Sequence, residues 1–262
     1  MTFARRFRRR LSAPLLLLIT SASSVPLAMP AHALDDAALA RKLASIPVLL
    51  PTDTAGKPVL IDRPVGGKST PVLFGAFSPE AAEALQQQII QPQLKAKAAS
   101  IQFRATNLVD FEAVLLDSRK QQPAVVRAYI PDPLQESAVV PMLIEQGAKP
   151  EEARQLARSQ PVIFCPDPLV QVNVKRDKLN TTTVPCGLDF REMALFVLGP
   201  RLKDRRPGLV GLPLERMVTL MRTLKGSEGD HLTITPSPSM QALLNRLASS
   251  NTTPASPATK KP

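Results

Sequence analysis

Apolar residues recur along this chain with two periods, and the period changes at prolines, glycines and short polar residues. Residues 45–61, SIPVLLPTDTAGKPVLI, read as two β-rich runs around a Thr-Asp-Thr-Ala-Gly-Lys turn, which predicts a hairpin. TPVLFGAF, ending at Phe77, is a further strand. Ser78 then stands as N-cap, with Pro79 at the first helical position and Glu80 in the first turn. Ala81, Leu85 and Ile89 follow as one helical stripe. IQFRA predicts a short strand, and NLVDFEAVLLDSRK a helix capped by Asn107 with Leu108, Phe111 and Leu115 on one face.

The same order returns in the second half. QPVIFCPDPLVQVNV, residues 160–174, has a proline-led β-rich run, a Pro-Asp turn and an alternating strand. TTTVPCGL leads into Asp189 as N-cap, with Phe190, Met193, Ala194 and Val197 on one helical face. GLVGLPLERMVTLMRTLKG gives a strand, Pro213 at a helix start, the stripe Leu214, Met217, Val218, Met221, Leu224, and Gly226 as C-terminal cap. Hairpin, strand, helix, strand, helix therefore occurs twice, over 46–120 and 161–226. Between the repeats lie a strand from Pro123, a helix begun at Asp132-Pro133 and disturbed by Pro141, and a short helix begun at Pro150. The predicted fold is α/β (α+β), two pseudo-symmetric halves, each a small mixed sheet with packed helices. The expected domains are 34–150 and 151–235, followed over 236–262 by a short helix and a disordered tail rich in Pro, Ser and Thr.

One stretch invites a nucleotide-binding reading and then fails it. DRPVGGKST offers Gly67-Lys68-Ser69, but a phosphate loop needs glycine at position 62, where Asp62 stands, and a helix next, where Pro71 and a β-rich run stand. Gly66-Gly67 reads as an exposed turn carrying a lysine into a strand. The N-terminus points the chain out of the cytoplasm. Arg5, Arg6, Arg8, Arg9 and Arg10 precede an apolar core from Leu15 to Ile19, and Ala31-His32-Ala33 supplies a small-x-small site, so residues 1–33 are expected to be an export signal cleaved after Ala33. An exported protein meets no ATP.

Export changes the meaning of the charge. The formal +11 falls to +6 without the five signal arginines, 28 basic against 22 acidic residues. The largest remaining basic cluster, Arg201, Lys203, Arg205 and Arg206, has no interleaved aromatics, and the chain has no Trp and one Tyr, which argues against nucleic acid. Cys165 and Cys186 are the two cysteines; in an oxidising compartment they are a candidate disulfide, closing a loop of about 20 residues worth roughly 3 kcal/mol. Two separate buried thiols are the alternative. No Cys-x-x-Cys exists and only His231 lies beyond the signal, so no metal and no His-dependent catalytic group is expected. Of the carboxylates a hydrolase would need, Asp53, Asp62, Asp132, Asp167 and Asp189 are the candidates, but Asp53, Asp132 and Asp167 fall in turns and Asp189 reads as a cap. No cofactor site and no catalytic residue is expected.

Together, IPVLLPTDTAGKPVLI, PVLFGAFSPEAAEAL, YIPDPLQES, PVIFCPD and LPLERMVTLMRTLKG resemble the Tic22-like proteins over residues 38–226. Leu49, Leu73 and the cysteine in TVPCGLDF depart from the family pattern. The resemblance implies two pseudo-symmetric α/β halves with apolar grooves and a non-enzymatic role in protein transport. The implied role is that of an exported chaperone or translocation factor, in the periplasm or thylakoid lumen, serving outer membrane biogenesis. The implied partners are unfolded precursor or outer-membrane proteins and the soluble domains of an outer-membrane insertase, with no nucleic acid and no ATP. A bridging subunit of an envelope insertase complex is the alternative; an exported hydrolase is the weaker one.

Overall fold

The computed structural model describes residues 35–176, 179–199, 202, 207–224 and 230–251. The export signal with its cleavage site after Ala33, the basic cluster from Arg201 to Arg206, Gly226 and the tail beyond residue 251 lie outside the described residues. In chain order the elements are α1 (Asp36–Leu43), β1 (Pro47–Thr52), β2 (Leu60–Val65), β3 (Lys68–Ala76), α2 (Pro79–Leu85), a π-turn (Gln86–Ile90), α3 (Gln91–Leu94), β4 (Gln102–Asn107), α4 (Leu108–Gln121) and β5 (Val126–Ile130). A 3-10 turn (Pro133–Gln135), α5 (Glu136–Glu145) and α6 (Pro150–Ser159) follow. The second unit is β6 (Val162–Asp167), β7 (Val172–Arg176), β8 (Leu179–Gly187), α7 (Phe190–Leu198), β9 (Gly208–Pro213), α8 (Leu214–Thr223) and β10 (Leu232–Thr235), with α9 (Pro238–Asn251) closing the described chain.

Local chemistry sets the boundaries of these elements. Ser78 Oγ accepts from Ala81 N at 3.0 Å and Pro79 opens α2; Asn107 Oδ1 accepts from Asp110 N at 3.0 Å; Asp189 Oδ1 accepts from Glu192 N at 2.7 Å. Each cap satisfies a helix N–H that has no carbonyl partner within its own helix. Gly66 and Gly67 have φ of 57° and 79°, and a two-residue turn with both central residues at positive φ joins β2 to β3. That is the hairpin of the first half. The pairing expected between β1 and β2 is reduced to one bridge, Thr52 to Pro58, because β1 and β2 follow each other along the same edge of β3, β1 at Ala76 and β2 from Leu73 to Lys68. The α2 stripe also differs from expectation. Ala81 and Leu85 are buried, but the π-turn inserts one residue into the helical count and brings Ile90 fully into the core, with Ile89 half-buried against it.

The two halves repeat one topology. β3 pairs antiparallel with β2, touches β1 at Leu49 opposite Ala76, and takes β5 in parallel on its other side, while β4 lines the far edge of β1. β8 does the same with β7, with β6 at Phe164 opposite Gly187, and with β10, while β9 lines β6. Backbone bonds at the element junctions recur too: Leu108 N to Ile46 O at 2.9 Å matches Leu214 N to Pro161 O at 3.0 Å, and Phe77 N to Ile130 O matches Leu188 N to Thr235 O. The repeated unit thus reaches one parallel strand further than the order read from sequence, to β5 and to β10.

One face of each sheet meets at the centre. Val48, Leu50 and Leu73 of the first sheet and Ile163, Cys165 and Cys186 of the second share a core with Phe111 and Leu115 of α4 and Met217 and Met221 of α8. The outer faces are covered partly by exchange, Leu85, Ile90 and Ala98 covering Val72 and Phe74 within the first half. Val139 and Leu143 of α5 and Ala153 and Ala157 of α6 follow the first unit in sequence, yet pack on Val162, Phe164 and Met193 of the second. Met240 of α9 follows the second unit and packs on Leu49, Ala76, Ala81 and Ala82 of the first. Helix α5 thus packs on the second unit although it follows the first in sequence.

Candidate functional site

Exchange makes a junction where the two halves meet, and a shallow cleft open to solvent lies there. Phe77 and Ser78, at the end of β3, face it; so does Leu188, at the matching end of β8. Asp132, Gln135, Glu136, Gln160 and Ser237 complete its polar lining. Most of this polarity is already used in holding the chain. Asp132 Oδ1 accepts from Leu134 N at 2.9 Å, and Ser237 Oγ accepts from Met240 N, so each caps the helical turn that crosses to the other half. Gln135 Nε2 donates to Leu188 O at 2.8 Å and its Oε1 accepts from Phe190 N at 2.8 Å, tying the crossing segment to the start of α7. Burial holds the Asp132 carboxyl above the usual carboxylate range, and Glu80 and Asp189 add to the rise. Glu192 is raised for the same first reason, burial, with Asp189 contributing.

A second polar network bridges the two long core helices. Tyr129 Oη donates to Glu112 Oε1 at 2.6 Å, Arg127 meets the other carboxylate oxygen at 3.3 Å and reaches Glu215 of α8 at 3.8 Å. The Arg127 guanidinium also lies 5.6 Å from the Tyr129 ring centroid. Burial, then the Glu112 bond, push the Tyr129 hydroxyl well above its ordinary pKa. Each of these groups has a structural partner in the network.

The residues singled out from sequence are dispersed. Asp53 Oδ1 accepts from Ala55 N and Lys57 N, which is turn chemistry. Asp62 lies on β2, Asp167 at the exposed end of β6, and Asp189 caps α7. His231 offers its backbone carbonyl to Thr183 Oγ1. Among the described residues no three His, Cys, Asp or Glu side chains converge as a metal site. Cys165 and Cys186 stand opposite each other on β6 and β8, their Cα atoms 4.5 Å apart, and are joined as a disulfide. Among the described residues no helix is long and apolar enough to cross a membrane.

What the sequence reading passed over is the outer face of α7. Met193 and Val197 are buried, but Leu195 is 66% exposed and Leu198 82% exposed, and Leu134, in the crossing turn, is 72% exposed. Arg191 and Glu192 are the only charges of α7, both in its first turn, so the rest of the helix is apolar all round. That composition was the available signal, since an ordinary surface helix carries a polar face.

The profile of the Tic22-like family matches residues 5–149, more than half of the 262 residues. The chain belongs to the Tic22-like family. No curated protein matches it in sequence. Two solved structures share the fold of this Tic22-like protein. Anabaena Tic22 (protein transport) superimposes with a TM-score of 0.63 at 16% identity, over 81% of this chain and 97% of that one. Tic22 from Plasmodium falciparum superimposes with a TM-score of 0.55 at 16% identity, over 81% of this chain and 98% of that one. The mixed α/β architecture matches the Tic22 fold.

Proposed function

We propose that this Tic22-like protein is an exported, non-catalytic carrier that binds unfolded precursor or outer-membrane proteins through apolar surface. The observation that carries the reading is the pair Leu195 and Leu198, held in water on one face of α7. Each leucine, once covered by a client, contributes roughly 1.5–3 kcal/mol, enough for reversible capture without an energy source. Family membership supports the role, and the basic, apolar, small-x-small order of residues 5–33 supports export to the periplasm or thylakoid lumen. The Cys165–Cys186 disulfide fits an oxidising compartment.

The test is dilution of a urea-unfolded β-barrel membrane protein into buffer, followed by light scattering. The mature protein should suppress aggregation at stoichiometric amounts. Leu195→Ser/Leu198→Ser should lose most of that effect with an unchanged melting temperature, because neither side chain is in the core. A wild-type protein that leaves aggregation untouched, yet binds the soluble domains of an insertase, would make it a bridging subunit and end the carrier reading.

A further inference from the structure

We propose that the outer edge of β4 is a docking site for an extended, amphipathic segment of another polypeptide, which adds to the first sheet as a strand. This rests on the carrier reading and names a place on the molecule where it acts.

The register fixes which backbone groups are free. Leu108 N donates to Ile46 O, and the β1–β4 ladder runs in step from there, so Val48, Leu50 and Thr52 exchange bonds with Thr106, Arg104 and Gln102. Pro47 and Pro51, which have no N–H to give, fall on the alternate positions of β1, as this register requires. Their partners on β4 turn the other way. The N–H and C=O groups of Phe103 and Ala105 therefore point out from the edge, and none of the described residues bonds them there.

The pseudo-equivalent edge in the second half is capped at one residue, Gly211. Leu214 N donates to Pro161 O, which by the same alternation turns Gly211 of β9 outward. With its amide oriented to satisfy both bonds, Gln146 at the end of α5 donates to Gly211 O and accepts from Gly211 N, each at 2.9 Å. A side-chain amide thus stands in for a neighbouring strand. Ala105 occupies the matching place on β4, since Asn107 and Pro213 end the two strands alike, and it has no such amide. Of the other edge strands, β5 has α6 beside it and β10 has α1, while β2 and β7 pair only with β3 and β8. An open row of alternating donors and acceptors is complementary to one thing, an extended backbone.

The flanking side chains state what that backbone carries. Phe103 and Ala105 are half-buried on the face shared with Leu243 and Leu244 of α9, so residues opposite them pack best if apolar. Arg104 projects from the other face, exposed and without an ion pair among the described residues. A carboxylate at the intervening position of the incoming strand completes it. A second copy of this chain fits less well, because pairing β4 with itself about Ala105 sets Arg104 opposite Thr106 and supplies no acid.

The test uses the whole mature protein and a short fluorescent peptide of alternating valine and threonine with one central glutamate, beside the same peptide with lysine. Fluorescence anisotropy should show the glutamate peptide binding about tenfold tighter than the lysine peptide, and Arg104→Glu should invert that order. Ala105→Pro removes an outward N–H that the ladder to β1 does not use, and should abolish binding with circular dichroism unchanged. Gln146→Ala uncovers Gly211 and should add a second binding site. Undiminished binding by folded Ala105→Pro, or a peptide preference that Arg104→Glu leaves alone, overturns the proposal; should Ala105→Pro fail to fold, the charge inversion decides alone. A dimer that Ala105→Pro disperses, with no peptide bound, assigns the edge to a second copy and also overturns it. The two readings separate in the aggregation assay. Suppression that survives in Ala105→Pro defeats the β4 edge alone, whereas no suppression by wild-type protein defeats the carrier reading.

Discussion

Replacing Gly75 by alanine probes how the two halves fill one plan with different side chains. Leu49 and Ala76 are partners across the contact of β1 with β3, which sets Gly75 opposite Leu50; in the second half the same places hold Cys186 and Cys165. A Cβ on Gly75 would lie 2.8 Å from Val48 Cγ1 and 3.0 and 3.2 Å from Phe111 Cε2 and Cζ. Neither neighbour yields easily. Val48 is β-branched in a strand and stiff at χ1, and both side chains are fully buried. Overpacking of this kind costs about 1–3 kcal/mol. For a protein of this size about 2 kcal/mol lowers the melting temperature by roughly 4–8 °C. In the second half α8 offers Met217 where α4 offers Phe111, and the unbranched thioether leaves room for the Cys186 side chain. Gly75→Ala should therefore cost less in a Phe111→Met background, by about 1 kcal/mol, with the Val48 contact accounting for the remainder. Urea unfolding of the wild type, the two single variants and the double variant measures that coupling. A neutral Gly75→Ala, or a cost unchanged by Phe111→Met, would refute the argument that the ring excludes a side chain there.

Two further outcomes are expected. Cys165→Ala/Cys186→Ala removes a cross-link between residues 21 apart in sequence and should lower unfolding stability by about 3 kcal/mol, while a wild-type mass that reductant leaves unchanged under denaturing conditions would contradict the pairing. Tyr129 is the chain's single tyrosine and there is no tryptophan, so absorbance near 295 nm follows its ionisation alone. Its folded pKa lies above the unfolded value of about 10, so its contribution to stability is complete below that pH and is lost as pH rises above it. Glu112→Gln, which removes the carboxylate, should bring the titration down, and a folded-state midpoint near 10 in the wild type would refute the assignment.

Local rules were legible in the sequence where one residue type has one use. Ser78, Asn107 and Asp189 are caps because a short polar side chain before an apolar stripe has little else to do, and Gly66-Gly67 turns because only glycine takes two positive φ values cheaply. Pairing partners were not legible in the same way. The run before Ile61 alternates well enough to pair with β1, but the Gly-Gly turn offers β2 a closer partner in β3, and local closure wins. Nor does helical spacing announce a π-turn, so the stripe from Ala81 lost its register by one residue at Ile90.

The exchange of outer helices had a sequence mark that periodicity does not weigh. IPDP at 130–133 and TPSP at 235–238 sit at the same point in both units, directly after the parallel strand, and each supplies a capping side chain, Asp132 and Ser237, between two prolines. Proline at that point bars the chain from continuing the sheet and fixes its departure across the junction. The two crossings then diverge in what they carry. The first delivers Gln146 to the edge of β9, while the second delivers Leu243 and Leu244 beside β4 and leaves that edge's backbone open. A single amide meeting a single glycine has no period, so the feature that makes the two edges unequal is visible only once the strands are in place. Repetition builds the scaffold, and a departure from repetition selects where on it another chain can lie.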